Sequence, residues 1–90
     1  MLWNNVGFLL RNKTARSILF YISSKYSPVM PSEIAKALNM SLKNVSTRLG
    51  YLAKRDLVKC LNPEEKKGRL YLTTKKGKEA LNKIKNREAL

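Results

Sequence analysis

Two short amphipathic segments, 32–39 and 42–54, with little more than Asn39-Met40 between them, leave this chain few ways to fold. In the second, Leu42, Val45, Leu49 and Leu52 follow one another at spacings of three, four and three, which lines one buried helical face. In the first, Ile34, Ala35 and Leu38 form a shorter stripe. Both starts are marked. Pro28 and Pro31 break any helix through 27–31, and Pro31 with Glu33 suits the first turn of a new one. Ser41 is placed to cap the second. Opposite its apolar face stand Lys43, Asn44, Thr47, Tyr51 and Lys54. Gly50 sits at the edge of that exposed surface, where it either leaves a gap for another backbone or fits a close helix contact.

The flanking segments extend the pattern. Asn12–Lys25 reads as a core helix through Ala15, Ile18, Leu19 and Ile22. Residues 2–10 are apolar around Gly7 and are compatible with a short helix, an extended arm or a dimer contact. After the central helix, Leu57–Leu61 and Arg69–Thr73 read as strands joined by a charged turn, Asn62–Gly68. Thr74 can cap a last helix whose narrow stripe, Ala80, Leu81 and Ile84, lies against the domain or meets a partner. The expected fold is mainly α with a small β-hairpin, an α+β arrangement in one domain, 1–90. It comprises an N-terminal arm or short helix 1–11, a core 12–74 with a central helix 42–54 and hairpin 57–73, and a C-terminal helix 75–90.

Charge says what such a fold meets. Across 90 residues, 19 Lys and Arg stand against 6 Asp and Glu, a net charge of +13. Both halves of the chain are basic, so this is no charged tail. Heat-adapted proteins enrich Lys together with Glu, whereas here most cations lack an acidic counterpart. A polyanion partner is expected, nucleic acid ahead of an anionic membrane surface. With no His and only Cys60, neither a Cys/His zinc site nor an intrachain disulfide can form, which suits a reducing, cytoplasmic setting. No apolar run approaches the ~20 residues of a membrane span, and no nucleophile–base or carboxylate pair suggests itself, so neither an enzyme nor a cofactor is expected.

Two short helices about a tight turn followed by a hairpin is the order of a winged helix. A third core helix presenting Lys43, Asn44, Thr47 and Arg48 can enter a DNA major groove, with Ser41 and the first amides meeting a phosphate. The tip Lys66-Lys67-Gly68-Arg69 can reach the adjacent backbone or minor groove. The chain from about Lys13 to Leu81 resembles winged-helix transcriptional regulators of the MarR and ArsR kind, in compact basic versions common in archaea. The residues carrying the likeness are SEIAKAL, the string S-L-x-x-V-S-x-x-L-x-x-L-x-x-x-x-L-V from Ser41 to Val58, and G-R-x-Y leading to T-x-x-G over Gly68–Gly77.

That resemblance implies a groove-facing set of Lys43, Asn44, Thr47 and Arg48, with Ser32, Ser41 and Ser46 near phosphates and Lys66, Lys67 and Arg69 on the wing. Tyr51 and Lys54 complete the exposed face. The chain departs from the family at Met30, where a Thr or Ser cap is common, at Thr73, where Leu is usual, and at Asp56, where Gly is frequent. These predict a weaker cap, a trimmed core and a less sharply turned helix end. The short termini argue against an effector pocket, and the absence of metal ligands argues against metal sensing.

The expectation is a sequence-specific duplex-DNA regulator associated with the nucleoid, a homodimer joined through the N-terminal segment and the C-terminal helix. Ser41–Arg55 contains no acidic residue, where a merely solvated helix would mix Glu with Lys. The alternatives are chromatin-like coating, RNA binding, and a protein-interaction subunit using Leu2, Trp3, Phe8, Leu81 and Ile84.

Overall fold

The computed structural model describes residues 2–88. The order is α1 (Leu2–Arg11), α2 (Lys13–Ser23), α3 (Pro31–Leu38), α4 (Leu42–Lys54), β1 (Val58–Cys60), β2 (Tyr71–Thr73) and α5 (Lys75–Glu88). The fold is the mainly helical α+β arrangement expected. One core joins Ile18, Leu19 and Ile22 of α2, Ile34 of α3, Val45, Leu49 and Leu52 of α4, and Leu57 and Val58, all essentially inaccessible.

Each turn is closed by its own backbone. Asn39 ends α3 in the left-handed region, φ 54°, and Met40 N–H donates to the Ala35 carbonyl at 2.9 Å, a closure that short polar side chains tolerate. Ser41 then caps α4, its Oγ accepting from Asn44 N–H at 3.1 Å. Met30, by contrast, gives α3 no side-chain cap, as its apolar side chain requires.

At the far end of α4 the expected blunt turn is corrected. Asp56 takes the left-handed conformation itself, φ 60°, and Leu57 N–H closes on the Leu52 carbonyl at 2.9 Å. Asp can occupy this region at modest cost, so it does the work expected of Gly. Thr74 Oγ1 fastens the same corner by donating to the Asp56 carbonyl and accepting from Gly77 N–H at 3.0 Å. The neighbouring Thr73 hydroxyl is buried without a partner among the described residues.

The strands are shorter than predicted, pairing Val58 with Thr73, Lys59 with Leu72 and Cys60 with Tyr71. Val29 adds a bridge to Tyr71, so the proline-bounded segment runs extended along the sheet. Beyond Leu61 the ladder gives way to side chains. Asn62 Oδ1 accepts from Leu70 N–H at 2.8 Å while its amide donates to the Gly68 carbonyl at 3.1 Å.

Residues 2–11 are a helix, which decides between the short helix and the extended arm that the sequence left open. Val6 and Leu9 of α1 are buried, as are Ala80 and Ile84 of α5, and the two helices pack together. That packing corrects the expected partner surface: Ile84 is 5% exposed and belongs to the interior. Phe8 is half-buried under the Arg55 guanidinium, 4.0 Å from the ring centroid, whereas Trp3 stands well out. The Leu2 side chain and residues 89–90 of the expected C-terminal helix lie outside what is described. Among the described residues no helix is long and apolar enough to cross a membrane.

Candidate nucleic-acid interface

Helix α4 stands as a ridge between two clefts. Its crest carries Lys43, Thr47, Tyr51 and Lys54, all exposed, with the Thr47 hydroxyl returned to the Lys43 carbonyl at 3.0 Å. One flank, Asn44 and Arg48, faces a cleft of about 450 Å³ that also takes in Ser41, Lys13, Thr14 and Ser17. The other flank, Leu42, Ser46 and Gly50, faces a cleft of about 340 Å³ closed by Met30, Ser32 and the wing residues Lys66, Lys67 and Arg69. The predicted site residues thus fall into three groups on one side of the molecule: crest, helix-turn-helix flank and wing flank.

Several placements differ from simple expectation. Arg48 is half-buried on its flank, its guanidinium 5.9 Å from the Tyr51 ring centroid. Arg69 folds back into the wing, where Nε donates to the Glu65 carbonyl at 2.6 Å and Nη2 to that of Pro63 at 3.1 Å. It shapes the loop rather than extending from its tip, leaving Lys66 and Lys67 as the free cations there. Gly68, at φ 69°, gives the wing a left-handed turn that a side chain would strain.

The largest correction concerns Leu42. Its spacing assigns it to the buried face, yet it is 53% exposed. Periodicity gives the angle of a residue around a helix but not whether a neighbour covers it, and the first turn of α4 runs past the core. At Gly50 nothing lies within 4 Å of where a Cβ would stand, so among the described residues it serves no close helix contact.

Sequence reasoning missed Lys13 and Thr14, which reach the α4 flank from the start of α2, and Asn62, which organises the wing. A basic residue at a helix start was visible for the first. Nothing local marked the cross-wing role of the last.

Electrostatically the surface is one-sided. Among the described residues the one ion pair joins Lys76 Nζ to Asp56 at 3.4 Å, with both side chains well exposed, so it neutralises nothing on the crest or wing tip. Glu64 and Glu65 are the nearby acids, on the wing turn.

A tight helix-turn-helix with a two-stranded wing beside its second helix defines a class, and residues 12–90 match the family described as winged helix-turn-helix. The chain belongs to that family, and membership supports double-stranded DNA as its partner. No curated protein and no solved structure matches it.

Proposed function

We propose that this chain is a sequence-specific double-stranded DNA-binding transcriptional regulator, of MarR- and ArsR-like build and nucleoid-associated. The observation that carries the reading is the α4 ridge, free of carboxylates from Ser41 to Arg55, between two clefts that each hold cations. A helix fits a major groove about 12 Å wide, and the strands bordering that groove then lie along the two clefts. Lys13 and Arg48 meet one backbone, Lys66 and Lys67 the other, while Ser32, Ser41 and Ser46 donate to phosphates. Asn44 and Thr47 face base edges, while Lys43 and Lys54, exposed towards the two ends of the ridge, reach phosphates at the groove's margins with Tyr51 between them. Arg69 contributes by holding the wing in shape.

A symmetric dimer joined through α1 and α5 would read a palindrome with half-sites about one helical turn apart. Trp3, 65% exposed at the start of α1 with Lys83 5.9 Å from its ring, is an apolar group still free for that contact.

Selection from a random duplex pool tests both statements. A regulator enriches a defined motif, and Asn44→Ala with Thr47→Ala relaxes that motif at the contacted positions by about tenfold per base pair. Palindromic enrichment supports the dimer, and a lone half-site contradicts it. No enrichment, with tight binding to every duplex, would instead mean architectural coating.

A second reading has its own observation. A groove of about 560 Å³, lined by Phe20, Tyr21, Leu38 and Leu81 with Arg16 and Lys85 at its edge, lies between α2 and α5. Phe20 is 63% exposed, and the Tyr21 hydroxyl donates to Glu33 at 2.9 Å, which holds that phenol's pKa above its ordinary value. A protein-interaction subunit would use this surface, and its signature is failure to bind duplex at low salt.

A further inference from the structure

The exposed Leu42 is hard to reconcile with a surface suited only to phosphates. It occupies the first position of α4, on the flank facing the wing, and Met30, 40% exposed, lines the same cleft. Along that flank Ser46 and Gly50 follow at successive turns, and Gly50 leaves open space where a side chain would stand. The result is a low, uncharged strip ending in an apolar cap. It runs between the Lys43 crest and the Lys66-Lys67 wing tip.

A polyanion drawn in by those cations would lay its backbone past Ser46 and the wing and bring the adjoining base edges against the Leu42 end of this strip. Among the groups that base pairs display in the major groove, the one apolar group is the C5-methyl of thymine. It also stands near its own strand's backbone, which is where the flank of a groove-bound helix lies. We infer that the cleft between α4 and the wing is a subsite for the 5-methyl group of one thymine, contacted by Leu42 with Met30 behind it. This inference rests on the DNA-binding reading above and adds to it a base identity and the residue that reads it. Gly50 has a place in the same account, because any larger residue would lift the strip off the base edge.

The test uses the full chain and the duplex it enriches. Each thymine is replaced in turn by deoxyuridine, which removes the methyl and leaves every hydrogen-bonding group in place. Wild-type affinity is expected to fall about fourfold at one position in each half-site, the effect of one buried methyl, and to change little elsewhere. Leu42→Ala is expected to bind the thymine duplex about as weakly as the wild type binds a duplex carrying uracil at that position in both half-sites, and to lose its discrimination between thymine and uracil there. Leu42 is exposed, so the variant keeps the fold, which its circular dichroism would verify. A duplex bound with no thymine sensitive, or with sensitivity unchanged in Leu42→Ala, overturns the subsite while leaving DNA binding intact. Failure to bind or enrich any duplex overturns the DNA-binding reading, and the subsite with it.

Discussion

Replacing Lys43, Lys54, Lys66 and Lys67 together with alanine is expected to lower affinity for every duplex about a thousandfold at 0.1 M salt. That loss follows from counterion release: each phosphate contact adds about 0.9 to the slope of log affinity against log salt, so four lost contacts flatten it by about 3.6. All four side chains are exposed and none is held by a carboxylate among the described residues, so the fold should be unaffected. The control removes comparable charge elsewhere. Alanine at Lys25, Lys36 and Lys59, exposed residues that line neither cleft and lie off α1 and α5, should cost about tenfold or less, because charges off the interface act only through a field screened within about 10 Å. Filter binding at several salt concentrations reads both slopes. Equal losses from the two sets would mean that net charge, and not the α4 and wing face, holds the DNA.

The second large effect is a reversal of sign between two helical glycines. Helix propensity alone favours alanine over glycine by about 1 kcal/mol at any interior position. At Gly50 nothing lies within 4 Å of where the methyl would stand, so Gly50→Ala is expected to stabilise by about 0.8 kcal/mol and raise Tm by about 5 °C. Gly77 is buried where α5 begins. A methyl there would press on the Leu57 carbonyl oxygen and stand 2.8 Å from Thr73 Cγ2. One obstacle is backbone held in the hairpin and the other belongs to its last residue, so relief requires α5 to shift. Gly77→Ala should therefore destabilise by about 3 kcal/mol and lower Tm by about 15 °C. Thermal unfolding followed by circular dichroism distinguishes the pair. A Gly77→Ala protein as stable as its parent would contradict the close junction of α4, wing and α5.

How much of the fold is legible in the sequence follows from which forces are local. The caps at Ser41 and Thr74, the break at Pro28 and Pro31, and the Val45–Leu49–Leu52 stripe depend on residues a few positions apart, and their spacing carries them. Asp56 sits at the boundary of that reach: its position at a helix end is visible, but the left-handed turn it adopts is enforced by the Leu57 and Thr74 bonds on either side. Helix α1 is not decidable from its own residues because Val6 and Leu9 are buried in a fold where α1 packs on α5, far along the chain.

The candidate interface divides the same way. Its crest is legible as the polar side of an amphipathic helix. Its flanks are not, since Lys13 arrives from another helix and Arg69 turns inward to carbonyls that only the folded wing presents. Leu42 is the instructive error: the periodicity that assigns Val45 to the core assigns it there too, and only the end of the surrounding packing leaves it bare.

One titration bears most directly on the central claim: fluorescence anisotropy of a labelled random-sequence duplex against the full chain, from about 50 to 200 mM salt. A ridge and two cationic clefts engaging about six phosphates should bind tightly at the low end and lose about a thousandfold across that range. Absence of binding at low salt, or binding that salt leaves unchanged, would contradict a DNA-binding role for this face.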